Sequence, residues 1–341
     1  MTEEEQGQPF PGDRVRLSPA EVRDSLAASG LSPLSRLGQN FLVDGNVAEK
    51  IISALDPGID DLIIEIGPGP GYISAVLAAK AGRFLAVEID PGMAAMTEQR
   101  LAAWPSARVV KANALKVDLA ALVASGAELP ARVVDGPARE TAGGPHRLKF
   151  FSNLPYYITT PLLMKILEEN RNFPPGFAAA GRAIFMVQRE VADRILASPG
   201  GKEYGVLTLA VQYYSKPTLV AMVSRRSFWP APDVDSALVQ LEFRDISAAP
   251  LSPEEFFPVV RGAFGQRRKK VANSLAAYPA LEMSRDEARL ALEAIGVDSD
   301  RRGETLSMEE FVRLAIEWRH LKAGRAAGDS LEGGNEFRQP Y

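Results

Sequence analysis

The chain of 341 residues predicts an α/β fold with a mostly parallel sheet, followed by a small all-helical C-terminal domain. Three observations carry that reading. Short apolar runs alternate with helix-periodic segments from Leu62 to Val187, the pattern of a parallel sheet covered by helices. The first of those runs opens into Gly67-Pro68-Gly69-Pro70-Gly71. After about Ser247 the apolar spacing is helical throughout.

The elements follow in order. Residues 1–17 are polar and are expected to be a disordered extension. Ser18-Pro19-Ala20-Glu21 is an N-cap followed by a proline at the first helical position, starting a helix that runs to about Ser29. Ser35 to Leu42 is expected to be loop. Asp44 caps a helix with Val47, Ala48, Ile51, Ile52 and Leu55 on one face. Leu62–Ile66 is the first strand, and a helix through Ser74, Val76 and Leu77 follows the glycines. Arg83–Glu88, Ala107–Lys111, Leu148–Ser152 and Arg182–Val187 are further strands, with Met93–Trp104 helical. Thr160-Pro161 is expected to begin another helix. Thr218–Val223 and Ala237–Phe243 are β-like. Residues 125–147 are rich in Gly and Pro and are expected to form a long surface loop. Segments 253–264, 266–277, 284–295 and 307–322 are expected helices. The expected domains are therefore 18–246 and 247–322, with 323–341 a disordered tail.

Composition removes several chemistries. The chain has no cysteine, which excludes disulfides, thiolate catalysis and Cys-ligated zinc. Its two histidines, His146 and His320, lie far apart, which disfavours a His-based metal site or a Ser–His–Asp triad. No apolar stretch reaches membrane-spanning length, and Met1 to Arg16 has no apolar signal core. A cytoplasmic protein without membrane attachment is expected. A net charge of −4 argues mildly against a nucleic-acid binder that is basic all over.

Two segments carry chemistry. Strand, Gly67-x-Gly69-x-Gly71, helix is a nucleotide-binding arrangement, because glycines admit a ligand close to the backbone and a helix N-terminus supplies donors. It is not the dinucleotide spacing, since position 72 is Tyr, and no P-loop lysine follows. Glu88 ends the next strand, where a carboxylate can accept both ribose hydroxyls of an adenosine. Against this, a tight turn of no functional meaning uses the same glycines. Asn153-Leu154-Pro155-Tyr156 follows a buried strand, so it should border the same crevice. Its groups suit an exocyclic amine. The Asn153 carboxamide and the Leu154 carbonyl can each accept one N–H, Pro155 fixes the turn, and Tyr156 offers a face on which a base can stack. A plain strand-to-helix turn would also use Asn and Pro.

Five motifs in order make the chain resemble the small-subunit ribosomal RNA adenine N6-dimethyltransferases of the KsgA/RsmA type. They are Leu37-Gly38-Gln39-Asn40-Phe41-Leu42, Glu65-Ile66-Gly67-x-Gly69-x-Gly71, Val87-Glu88-Ile89-Asp90, Asn153-Leu154-Pro155-Tyr156 and Phe228-Trp229-Pro230-x-Pro232-x-Val234-x-Ser236. The resemblance spans roughly residues 18–322. It implies a Rossmann-like class I methyltransferase sheet, S-adenosyl-L-methionine as methyl donor, no metal, and 16S rRNA within the small ribosomal subunit as substrate. It implies Asn40, Leu42, Gly67, Gly69, Gly71, Glu88, Asn113 and Asn153 at the donor site. Asn113 departs from the family, which usually has Asp there. It also implies catalytic roles for Asn153, Leu154, Pro155, Tyr156 and Phe228, with the target adenine held between the aromatic faces of Tyr156 and Phe228.

Positive residues cluster at Arg225-Arg226 and at Arg261, Arg267, Arg268, Lys269 and Lys270. Solvated helix ends often look like this; given the resemblance, phosphate contacts are expected. A monomer with no obligate protein partner is expected. The alternatives are an adenine N6-methyltransferase acting on a different RNA, an RNA-binding assembly factor that keeps the fold without turnover, and a nicotinamide-dependent dehydrogenase, which the glycine spacing disfavours.

Overall fold

A computed structural model describes residues 18–34, 37–132, 147–153, 155–173, 181–245, 249–266 and 268–332. The chain begins with α1 (Pro19–Ala28), capped by the Ser18 hydroxyl, which accepts from the Glu21 N–H at 3.2 Å. A two-residue strand β1 (Phe41–Leu42) precedes α2 (Gly45–Leu55), which Asp44 caps through the N–H groups of Asn46 and Val47. Then come β2 (Asp61–Ile66), α3 (Tyr72–Lys80), β3 (Arg83–Glu88), α4 (Pro91–Leu101), β4 (Ala107–Lys111), α5 (Leu119–Ala127), β5 (Arg147–Ser152) and α6 (Tyr156–Glu169). They are followed by β6 (Arg182–Gln188), α7 (Arg189–Ile195), α8 (Val206–Tyr214), β7 (Ser215–Val223), β8 (Phe228–Trp229) and β9 (Ser236–Phe243). Four helices close the chain: α9 (Pro253–Phe264), α10 (Val271–Ala276), α11 (Arg285–Ala294) and α12 (Met308–Glu332).

The main sheet has strand order β4-β3-β2-β5-β6-β9-β7. The five strands from β4 to β6 are parallel, and β9 runs antiparallel to both β6 and β7. β2 is buried at every position, which is why its sequence is a continuous apolar run rather than an alternating one. Ile63, Phe84, Ala86, Phe151, Ile184 and Leu238 form one core with Leu55 and Leu77. At the amino ends of β2 and β5, Lys149 Nζ and Asp61 Oδ2 pair at 2.7 Å in the interior, so neither charge is left uncompensated. β1 and β8 form a separate two-stranded ladder, with Phe41 opposite Trp229 and Leu42 opposite Phe228.

The chain divides into two units, one running to Ala192 and resuming at Tyr214–Asp245, the other comprising Asp193–Tyr213 and residues from Ile246 onward. The helical unit therefore takes in α8, which precedes the boundary near 247 read from the sequence. Its core is aromatic. Tyr213 stacks on Phe256 with centroids 4.9 Å apart, Phe264 stacks on Phe311 at 5.9 Å, and Trp318 Nε1 donates to the Leu281 carbonyl at 3.0 Å.

Several local expectations are corrected. Helix α6 begins at Tyr156, not Thr160, because the Pro155 carbonyl accepts from both the Ile158 N–H and the Thr159 hydroxyl at 3.1 Å. Pro161 consequently lies inside the helix. The segment expected to be loop from 125 is helical to Ala127, capped by Asp118. Arg83 Nε then holds the Leu129 carbonyl at 2.8 Å, and residues 133–146, which include His146, lie outside the described residues. Helix α12 continues past Lys322, where Arg325 anchors it to the Glu282 carbonyl and the Glu287 carboxylate.

Candidate functional site

The loops that follow β4, β3, β2 and β5 lie side by side at the carboxyl ends of adjacent parallel strands, where an open α/β sheet binds ligands. They border a cavity of about 270 Å³. Asn113 follows β4, Glu88 ends β3, Gly67 and Gly69 come from the turn after β2, and Asn153 and Pro155 follow β5. Leu42 and Phe228 complete it from the β1–β8 ladder, with Asn40 just before β1.

Local chemistry explains the shape. Gly71 sits at φ 81°, and a Cβ there would lie 2.9 Å from Thr97 Oγ1 and 3.0 Å from Thr97 Cα. Only glycine lets α3 start against α4 at this point. Packing alone therefore requires a glycine at 71, whatever else that backbone meets. Gly38 (φ 59°) serves similarly on the other side: a Cβ would lie 3.0 Å from Pro155 Cβ, so the first motif can press on the fourth. Gln39 locks that contact to the sheet. Its carboxamide donates to Asp90 Oδ2 at 3.2 Å and accepts from the Leu34 N–H at 2.9 Å, while Asp90 Oδ1 caps α4. Ser227 supports the neighbouring side, its hydroxyl donating to Asp44 Oδ2 at 2.9 Å.

Two carboxylates shape the electrostatics. Glu88 is buried; its Oε2 accepts from the Gly69 N–H at 3.2 Å and its Oε1 from the Asp90 N–H at 2.8 Å. Burial raises its affinity for a proton, and these backbone donors pull it back down. Glu65 is 2% exposed and also borders the cavity. Burial pushes its carboxyl up to about 8; the Ser74 hydroxyl beside it lowers the value and the Glu88 carboxylate raises it. Among the described residues, Glu65 Oε2 and Ser74 Oγ each lack a partner of hydrogen-bonding geometry.

The remaining expected residues are placed as follows. Phe228 is buried at 4% exposure and packs into the main core while bordering the cavity. Leu154 and the side chain of Tyr156 lie outside the described residues, as does Arg267. Arg225 donates to the Asp233 carbonyl at 3.1 Å, and Lys270 pairs with Asp300 at 2.7 Å. Arg226, Arg268 and Lys269 are exposed, and Arg261 is exposed beside Phe257. Sequence reasoning did not place Glu65, Gln39 or Tyr157 in the site. Glu65 was legible as the acidic residue opening the glycine motif. Tyr157, 63% exposed and on the cavity rim, gave no signal apart from its neighbour.

The profile of the family described as ribosomal RNA adenine dimethylase matches residues 33–319. The chain belongs to that family. Among named relatives of the ribosomal RNA adenine dimethylase family, the chain is 42% identical over 302 residues to the ribosomal RNA small subunit methyltransferase A of Pelotomaculum thermopropionicum, covering 88% of this chain and 96% of that protein. It is 41% identical over 304 residues to the protein of the same description from Moorella thermoacetica, covering 89% and 98%. The solved 23S rRNA methyltransferase ErmE superposes with a TM-score of 0.57 at 25% identity, over 82% of this chain and 100% of that one. A dimethyladenosine transferase from Plasmodium falciparum shares the fold, with a TM-score of 0.66 at 23% identity over 82% and 98% of the two chains. The sheet is thus the Rossmann-like class I methyltransferase sheet of this ribosomal RNA adenine dimethylase family, with a helical C-terminal part.

Proposed function

We propose that this chain uses S-adenosyl-L-methionine to dimethylate N6 of two adjacent adenosines in the 3′-terminal hairpin of 16S rRNA. Family membership supports the reaction class, and the 42% identical relative, named for the small subunit, supports the substrate. The observation that carries the reading is one cavity bordered at once by the glycine turn, Glu88, Asn153 and Pro155.

The residues present fit such a donor. Both Glu88 oxygens keep lone pairs for ribose hydroxyls beyond their backbone bonds. Gly67 and Gly69 expose backbone to a ligand, and Asn40 and Leu42 line the same space. The unpartnered Glu65 Oε2 is an acceptor suited to an ammonium group. When bound, S-adenosylmethionine supplies a methyl group already activated as an electrophile.

The chain's task is then to prepare the amine. An adenine amino lone pair is delocalised into the ring. The Asn153 carboxamide and the Leu154 carbonyl would each accept one N–H, holding the N–H bonds out of the ring plane so that the lone pair is freed from the ring and aimed at the methyl group. Catalysis is chiefly positioning and electrostatics. The methylated nitrogen is acidic enough to give its proton to water, so no side-chain base or metal is invoked. Tyr156 and Phe228 would hold the extruded base. Arg225, Arg226, Arg261, Arg267, Arg268, Lys269 and Lys270 would meet phosphates. A monomer acting in the cytoplasm completes the reading.

The test is transfer of labelled methyl from S-adenosylmethionine to small subunits lacking the modification, with nucleoside analysis. Dimethyladenosine confined to the 3′-terminal hairpin supports the proposal. Tight subunit binding without transfer would replace it with an assembly-factor role. Transfer confined to large-subunit RNA would move the substrate toward that of ErmE.

A further inference from the structure

We infer that Asn113 presents its amide nitrogen, not its carbonyl oxygen, to the base of the methyl donor, so that this chain reads the purine by donating a hydrogen bond and accepts a 6-oxo purine in place of a 6-amino one. This rests on the donor-site reading above and deepens it.

The orientation of the carboxamide follows from its own backbone. Asn113 Oδ1 accepts from the Leu115 N–H at 3.0 Å, closing a turn two residues long in the chain. Rotating the amide by half a turn would set N–H against N–H, so the backbone fixes which end is which. The Asn113 carbonyl is engaged as well, accepting from the N–H groups of Lys116 at 2.9 Å and Val117 at 3.1 Å. This stretch is therefore held at three points. Among the described residues, Asn113 Nδ2 makes no hydrogen bond. It remains as the donor that the side chain can offer to the cavity it borders.

The position selects the base rather than another part of the donor. Asn113 follows β4, and β4 lies beside β3, whose last residue Glu88 is opposite Lys111. The Ala112 N–H donates to the Glu88 carbonyl at 2.9 Å, tying the two strand ends together. A nucleoside whose ribose hydroxyls meet Glu88 then extends its base along the neighbouring strand end. Ile89, Ala114 and Leu115 border the cavity there and are apolar, as a purine face requires. Asn113 is the polar group among them.

A donor at this point finds an acceptor on either base. Adenine offers its ring nitrogen N1 beside the 6-amino group; the 6-oxo base carries a proton on N1 and offers instead the neighbouring exocyclic oxygen on the same edge. A carboxylate at 113 would behave differently: one oxygen would keep the Leu115 N–H, and the other would accept from a 6-amino group and repel a 6-oxo group.

The test is calorimetric binding to the full chain, without turnover. The probes are S-adenosylhomocysteine and its deaminated analogue S-inosylhomocysteine. Wild type should bind the two within about threefold of each other. Asn113→Asp should favour S-adenosylhomocysteine by about tenfold or more, the discrimination that one mismatched buried hydrogen bond supplies. A wild-type preference of tenfold or more for S-adenosylhomocysteine would overturn this inference and leave the donor site standing. Failure of the folded wild type to bind either probe would overturn both. The wild-type ratio decides the matter even if Asn113→Asp does not fold.

Discussion

Two side chains at the cavity are set apart by what surrounds them. Asn153 is proposed to hold the target amine through acceptor geometry, so Asn153→Ala should lower methyl transfer by at least about 100-fold. Its circular dichroism and melting temperature should stay near wild type. Full activity in that variant would refute the amine-positioning mechanism. Glu65 makes a prediction about stability that needs no ligand. Its folded-state carboxyl keeps its proton to about pH 8, whereas the unfolded chain releases it near the ordinary carboxyl value of 4.5. Between those values the folded chain binds more protons, so stability falls as pH rises, by up to about 1.4 kcal/mol per unit. Glu65→Gln has no such proton to lose. Its urea midpoint should therefore decline less than wild type between pH 5.5 and 8, and equal slopes would show that Glu65 is not the source. At this scale the sequence disclosed residue types but not their partners. Glu65 and Ser74 are nine positions apart, and nothing in their spacing says that Glu65 Oε2 and Ser74 Oγ are both buried without a hydrogen-bond partner among the described residues.

Helices and strands were legible where one physical signal dominated. Asp44 and Ser18 announced helices because a short polar side chain before an apolar period has one common use. The parallel strands were legible because burial on both faces leaves no room for polar alternation. Other elements carried weak or conflicting signals. Helix α5 was missed although Asp118 caps it, because it leads into a stretch rich in Gly and Pro. The start of α6 was misplaced because Thr160-Pro161 imitates an N-terminus that the Pro155 carbonyl pre-empts. The β1–β8 ladder is two residues long, too short to show a period, and its partners are separated by most of the first unit. Glycine substitutions test the junctions between elements. Gly71→Ala should destabilise the first unit by roughly 1–3 kcal/mol, since both its φ and the Thr97 backbone oppose a Cβ. Thermal melts measure this directly, and an unchanged melting temperature would mean that α3 and α4 can separate without loss.

At the scale of the molecule, total charge and local charge point in opposite directions. The chain carries −4 overall, yet 261–270 contains five positive residues and no negative one. A polyanion should therefore be met by part of the surface, with the acidic remainder repelled. The double variant Arg268→Glu, Lys269→Glu should weaken binding to small subunits about tenfold or more at low salt and reduce the salt dependence of that binding. Affinity for S-adenosylhomocysteine should be unchanged. An unaltered salt slope would remove these residues from the RNA-contacting surface.

The β1–β8 ladder has a consequence for synthesis. Phe41 and Leu42 emerge early, and the Phe228 and Trp229 that pair with them are made only after every parallel strand of the sheet has been translated. A nascent chain arrested before Phe228 would hold the glycine turn and Asn153 but lack the residues that complete the cavity. Capacity to bind the donor should thus arrive in one step, late in translation.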